Sequence, residues 1–147
     1  MSSSAVDVAR QSVECSNAGD FDRMRSLYTA DSYEEELATQ RRLEGVDAQI
    51  DAARGWKQAF PDARGTIHGV YADGRTVTLE LTWQGTQDGA LQTPDGHELP
   101  PSHRRAAMRD CQVTEIEEGK IAATRHYFDL MTLMQQLGAM ERAGTTA

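Results

Sequence analysis

Apolar residues recur at helical spacing near the N-terminus, where Ala5, Val6, Ala9 and Val13 form one stripe. Asn17-Ala18-Gly19-Asp20 interrupts it, and Asp20 is placed to cap a second short helix whose Phe21, Met24, Leu27 and Tyr28 share a face. Ala30 to Thr39 is ambiguous: Tyr33-Glu34-Glu35-Glu36-Leu37 reads as a short strand or as an acidic loop. A third helix is predicted from about Gly45 to Phe60, with Val46, Ile50, Ala53, Trp56 and Phe60 on one side. Pro61 ends it, because proline disfavours helix in the preceding residue.

Beyond Pro61 the period changes from helical to alternating. Ala63 to Ala72 and Arg75 to Gln84 flank Asp73-Gly74, a two-residue hairpin signal. Val77, Leu79, Leu81 and Trp83 alternate with polar residues, so one face is buried. That turn places His68 opposite Leu79 on the apolar face. Gly85 to His103 is a long connection rich in Gly, Pro and Asp, a candidate lid. Arg104 to Ile116 reads as a long strand that returns through Lys120 to Asp129. A two-residue turn at Glu118-Gly119 would put Glu118 at positive φ, so a three-residue turn, Glu117-Glu118-Gly119, is predicted. It sets Asp110 across from His126, Gln112 from Thr124 and Met108 from Phe128. Leu130, Leu133, Met134 and Leu137 then form a helical stripe that Gly138 can end; Asp129 either lines the cavity mouth or, the favoured reading, caps this helix. Residues 139–147 are small and polar, a frayed tail. Helices, then an antiparallel sheet, then one helix make an α+β protein with helices on one side of the sheet.

With 147 residues the chain is one domain, 1–147, large enough for a core without disulfides or metals. The net charge of −8 and a pI near 4.9 argue against nucleic-acid binding, and His103-Arg104-Arg105 is too short to reverse that. No apolar run approaches the ~20 residues of a membrane span. Met1 to Gln11 lacks the basic and apolar regions of a secretory signal, so a cytoplasmic location is expected. Cys15 and Cys111 belong to no metal-binding spacing and read as unpaired thiols. His97 and His103, beside Asp95 and Glu98, fit no metal motif.

The run EIEEGKIAATRHYFDLMTLMQQLG, from Glu115 to Gly138, resembles the C-terminal signature of SnoaL-like polyketide cyclases. It has an acidic residue, Gly-Lys-Ile, a strand ending in Asp and a helix ending Gln-Leu-Gly. LPPSHRR (Leu99 to Arg105), WKQAFPD (Trp56 to Asp62) and SNAGDFDRM (Ser16 to Met24) resemble further family segments, in the family's order. The resemblance implies a cone-shaped, cystatin-like α+β barrel of the nuclear-transport-factor-2 type, with a hydrophobic pocket and frequent homodimerisation. It also implies aldol-type cyclisation of polyketide esters without metal or organic cofactor. In the family an acid on the last strand is the base, with a histidine and a glutamine on the partner strand. Here those positions fall on His126, Gln112 and Asp110 respectively, and an asparagine of the first strand falls near Glu34.

An opposed carboxylate and imidazole can hydrogen-bond, so Asp110 would fix the tautomer of His126 and favour its protonated form. His126 could then remove a proton from a bound substrate. Gln112 could hold a carbonyl, with Glu34 and His68 as further contacts. Trp56, Trp83, Met108, Phe128 and Leu79 would supply apolar walls. The substrate class is a small hydrophobic carbonyl compound. Two other readings stand beside the enzyme: a carrier that binds without turnover, and a purely structural His–Asp contact. Epoxide hydrolysis would need an acid–arginine–acid cluster, and Asp110, Arg109 and Arg125 do not share a face.

Overall fold

The computed structural model describes residues 4–93 and 95–140. Helix α1 (Ala5–Ala18) starts at a capping box: Ser4 Oγ accepts from Asp7 N, and the Asp7 carboxylate accepts from Ser4 N. Gly19, at φ 68, ends it by donating to the Cys15 and Ser16 carbonyls. Asp20 caps α2 (Phe21–Ser26) through Arg23 N, and α3 runs Gly45–Ala59, just before Pro61. The ambiguous acidic segment is a strand, β1 (Tyr28–Glu36), followed by β2 (Arg41–Glu44). The long strands are β3 (Arg64–Asp73), β4 (Thr76–Thr86), β7 (Arg105–Glu117) and β8 (Lys120–Phe128). Short strands β5 (Leu91–Gln92) and β6 (Glu98–Leu99) lie in the long connection, and α4 (Leu130–Gln136) closes the fold. Asp129 caps α4 as anticipated, through Thr132 N and Oγ1.

The six-stranded sheet has the order β2-β1-β8-β7-β4-β3. Every pair is antiparallel except β1 with β8, which is parallel, so the sheet is mixed. It curves, and its inner face is covered by the helices. Val77, Leu79 and Leu81 on β4 pack against Ala9 and Val13 of α1. Met108, Phe128 and Ala106 pack with Phe60, Leu91, Leu133 of α4 and Leu137 just after it. Ile116, Ile121 and Tyr28 close the third side against Val8. No described helix is long and apolar enough to cross a membrane.

The connection from Gln87 to Arg104 is ordered by one side chain. Gln87 is 1% exposed. Its amide nitrogen reaches the carbonyls of Gly89 (3.1 Å), Pro100 (3.2 Å) and Leu99 (3.4 Å), and its oxygen accepts from Ser102 N. Beyond Met140 the predicted tail lies outside the described residues.

Both hairpin registers differ from the sequence-based expectation. The β3–β4 turn is Gly74-Arg75, with Asp73 opposite Thr76, and a register shift lies between Ile67 and Gly69. Leu79 therefore faces Val70, while His68 sits at the irregularity, exposed, with Nε2 2.7 Å from Thr82 Oγ1. The β7–β8 turn is the two-residue Glu118-Gly119, both at positive φ (49° and 79°). A turn of that hand matches the twist of the strands, which offsets the local cost at Glu118. Ala122 is then bulged out, since Ile116 faces Ile121 and Glu115 faces Ala123. As a result His126 stands opposite Gln112, and Phe128 opposite Asp110.

Candidate functional site

Alternation along four strands brings polar side chains to the inner face. One cross-strand row is Glu36–His126–Gln112–Leu79, and the next is Glu34–Thr124–Thr114–Val77. Asp110 is thus diagonal to His126 rather than opposite it. The diagonal is still within reach of extended side chains, and His126 Nε2 lies 2.7 Å from Asp110 Oδ2. The Asp110 side chain is fully buried and that of His126 is 14% exposed. The same Oδ2 accepts from Trp83 Nε1 (2.7 Å) and Gln112 Nε2 (3.0 Å). Asp110 Oδ1 and His126 Nδ1 have no partner among the described residues.

Asp110 lies behind His126, Gln112 and Trp83, and it is these three that border a cavity of about 140 Å³ between sheet and helices. That is close to the size of an apolar cavity that admits one benzene ring. Glu34, Glu36, Gln112 and His126 line its sheet side. Trp56, Trp83, Met108 and Phe60 supply the apolar wall. Gln49, Ala52, Ala53 and Trp56 face it from α3, and Ser12, Val13 and Ser16 from α1. Phe128 supports the His126 ring at 4.8 Å between centroids and meets Trp56 edge-on. Of the residues expected at the pocket, His68 is turned out to solvent and Leu79 belongs to the α1 core. His97 and His103 are exposed on the loop, paired separately with Asp95 and Asp88.

The electrostatics of the inner face are set by burial. Burial works to lower the pKa of His126, but the Asp110 charge and hydrogen bond, with Glu34 and Glu36, outweigh it and push it up to about 9. The imidazole is therefore charged at neutral pH. For Glu34, burial pushes the carboxyl upward; His126 opposes this, while Glu36 and Asp110 add to it. The Glu34 carboxylate makes no hydrogen bond among the described residues, whereas that of Glu36 is held by Arg41 through both oxygens (2.9 and 3.0 Å) and by Thr39. One ligand atom each from Glu34, Glu36 and His126 lies within 4.8 Å of the others, close enough to share a cation. The Arg41 guanidinium on Glu36 and the imidazolium charge both work against one.

Glu36, Gln49 and Tyr28 are site residues that the sequence reading did not single out. The i, i+2 spacing of Glu34 and Glu36 would have placed both on one face once the segment was read as a strand. Gln49 carried no signal, because an isolated glutamine on a helix is usually solvated.

The sequence matches the SnoaL-like polyketide cyclase family over residues 6–137. The chain belongs to this family. Among solved structures, a protein provisionally assigned as a SnoaL-like polyketide cyclase from Jannaschia sp. CCS1 superposes with a TM-score of 0.82 at 20% identity, over 92% of each chain. IdmH from Streptomyces antibioticus, provisionally assigned as a polyketide cyclase, gives 0.79 at 19% identity, over 92% of this chain and 99% of that one. AclR from Streptomyces galilaeus, provisionally assigned as a hydroxylase, gives 0.79 at 16% identity, over 92% and 85%. At such identities these likenesses speak for the SnoaL-like fold alone. A comparison with curated protein sequences gives no match.

Proposed function

We propose that this SnoaL-like protein catalyses proton transfer next to the carbonyl of a small hydrophobic ketone, as a cyclase or isomerase without a bound metal. The observation that carries this reading is the buried Asp110–His126 bond, which leaves Nδ1 without a partner beside an unbonded Glu34. An imidazole that is already charged cannot accept a proton. His126 is suited instead to donating: its Nδ1–H bonds to the substrate carbonyl oxygen and stabilises the developing enolate. Glu34 is the group suited to take the α-proton, because burial raises its basicity toward working pH. Gln112, tied to Asp110, holds that carboxylate and borders the carbonyl position. The enolate carbon can then attack a second carbonyl in the same molecule, or recover the proton from Glu34 at another position. Trp56, Trp83 and Met108 pack the hydrocarbon part of the substrate.

Acetophenone suits a one-ring cavity and carries exchangeable α-protons. Its methyl exchange in deuterium oxide should be accelerated by the protein. Glu34→Gln should slow that exchange by about 10²–10⁴-fold, and His126→Ala comparably. If acetophenone binds but exchanges no faster than in buffer, the chain is a ligand-binding member of the family rather than an enzyme.

A further inference from the structure

On the helical side of the cavity, Gln49 is 5% exposed, and its amide orientation is fixed. Gln49 Nε2 lies 3.0 Å from the Gly45 carbonyl, which can only accept, and 2.9 Å from Ser32 Oγ. Rotating the amide by half a turn would set two oxygens against each other. The NH₂ group therefore faces Gly45 and Ser32, and Oε1 is an acceptor with no partner among the described residues. A buried acceptor left unsatisfied costs about 1–3 kcal/mol. Trp56 and the small side chains Ala52 and Ala53 continue the cavity wall from Gln49 along α3.

Gln49 is also placed relative to the reacting groups. Ser32, its partner, is two residues before Glu34 on β1. Side chains at that spacing share a face and stand about 7 Å apart along the strand.

We propose that Gln49 Oε1 is a specificity-determining acceptor, and that the ligand is a hydroxylated aromatic or enolic ketone whose hydroxyl donates to it. This rests on the carbonyl-site reading above and adds the substrate class. The deoxy ketone would bury the same apolar surface but leave Oε1 unpaired, so the site distinguishes the two by the hydroxyl.

Calorimetric titration with acetophenone and with its 2-, 3- and 4-hydroxy derivatives tests this. The wild type should bind at least one hydroxyacetophenone about tenfold or more tightly than acetophenone, a difference of about 1.4 kcal/mol. Gln49→Met, close in size but without the acceptor, should keep acetophenone binding and lose the preference. If the wild type binds acetophenone with no hydroxyl preference, or if Gln49→Met retains the preference, the inference is overturned while the carbonyl-site reading stands. If the wild type binds none of the four ketones, both fail. The wild-type comparison decides the matter even if Gln49→Met does not fold.

Discussion

At Asp110 one carboxylate oxygen accepts from Trp83, Gln112 and His126, in a position with no access to solvent. Asp110→Asn removes the charge that holds the imidazolium while nearly preserving shape. We expect the His126 pKa to fall by more than one unit and the protein to lose about 3 kcal/mol near pH 6, as for a broken buried ion pair. Paired denaturation and histidine titration would check both values. The folded-state pKa of His126 lies above its ordinary 6.5, at about 9. Its stabilising contribution is therefore complete below pH 6.5 and lost as pH rises through 9. A shift of that size corresponds to roughly 3 kcal/mol. The raised Glu34 carboxyl has the same sign, since its ionised form is disfavoured by folding. Urea unfolding at pH 6 and pH 9 should show lower stability at pH 9, and equal midpoints would refute it. The chemistry of Asp110 and His126 was legible in the sequence because both lie on strands flanking a recognisable turn. Their diagonal offset was not, because it depends on a bulge at Ala122 that no local residue preference announces.

At the scale of elements, helix boundaries were the most legible features. Caps and stops such as Asp20, Gly19, Pro61 and Asp129 act through neighbours within a few residues. Strand registers depend instead on which turn matches the twist, and both hairpins shifted accordingly. The irregularity between Ile67 and Gly69 turns His68 off the inner face, while the alternation of Val77, Leu79 and Leu81 stays intact because it survives a slip of two. The Gly- and Pro-rich composition of the loop between β4 and β7 marks it as a candidate lid, but it carries no sign that Gln87 and the β5–β6 ladder organise it. Gln87→Ala would leave several part-buried backbone groups without their side-chain partner. It should cost about 2–4 kcal/mol and speed amide exchange across residues 88–103, measurable by hydrogen exchange with mass spectrometry. Gly89 fits there for a steric reason: a Cβ would sit 2.1 Å from the Gln58 carbonyl oxygen.

Across the whole molecule, the sheet brings three carboxylates around a single imidazole, and Glu34, Glu36 and His126 reach a cavity that the helices cover. Fold class and family were legible because the order of elements and several short segments agreed. The cavity was not, because its walls come from α1, α3, β1, β4, β7 and β8 at once. We propose that the exposed outer sheet face, with Tyr127 and Leu37, mediates the homodimer that the family resemblance implies. Light scattering should then give twice the chain mass, and Tyr127→Glu should shift it to monomer. The assignment of Glu34 as base and His126 as charged donor rests on one protonation state. Its most direct test is an NMR titration of the imidazole nitrogens, with the His126 signal identified among the four histidines by His126→Gln. A midpoint near 9, with His126 protonated at pH 7, is the predicted result. A midpoint at or below 6.5 would contradict it and return the role of base to His126.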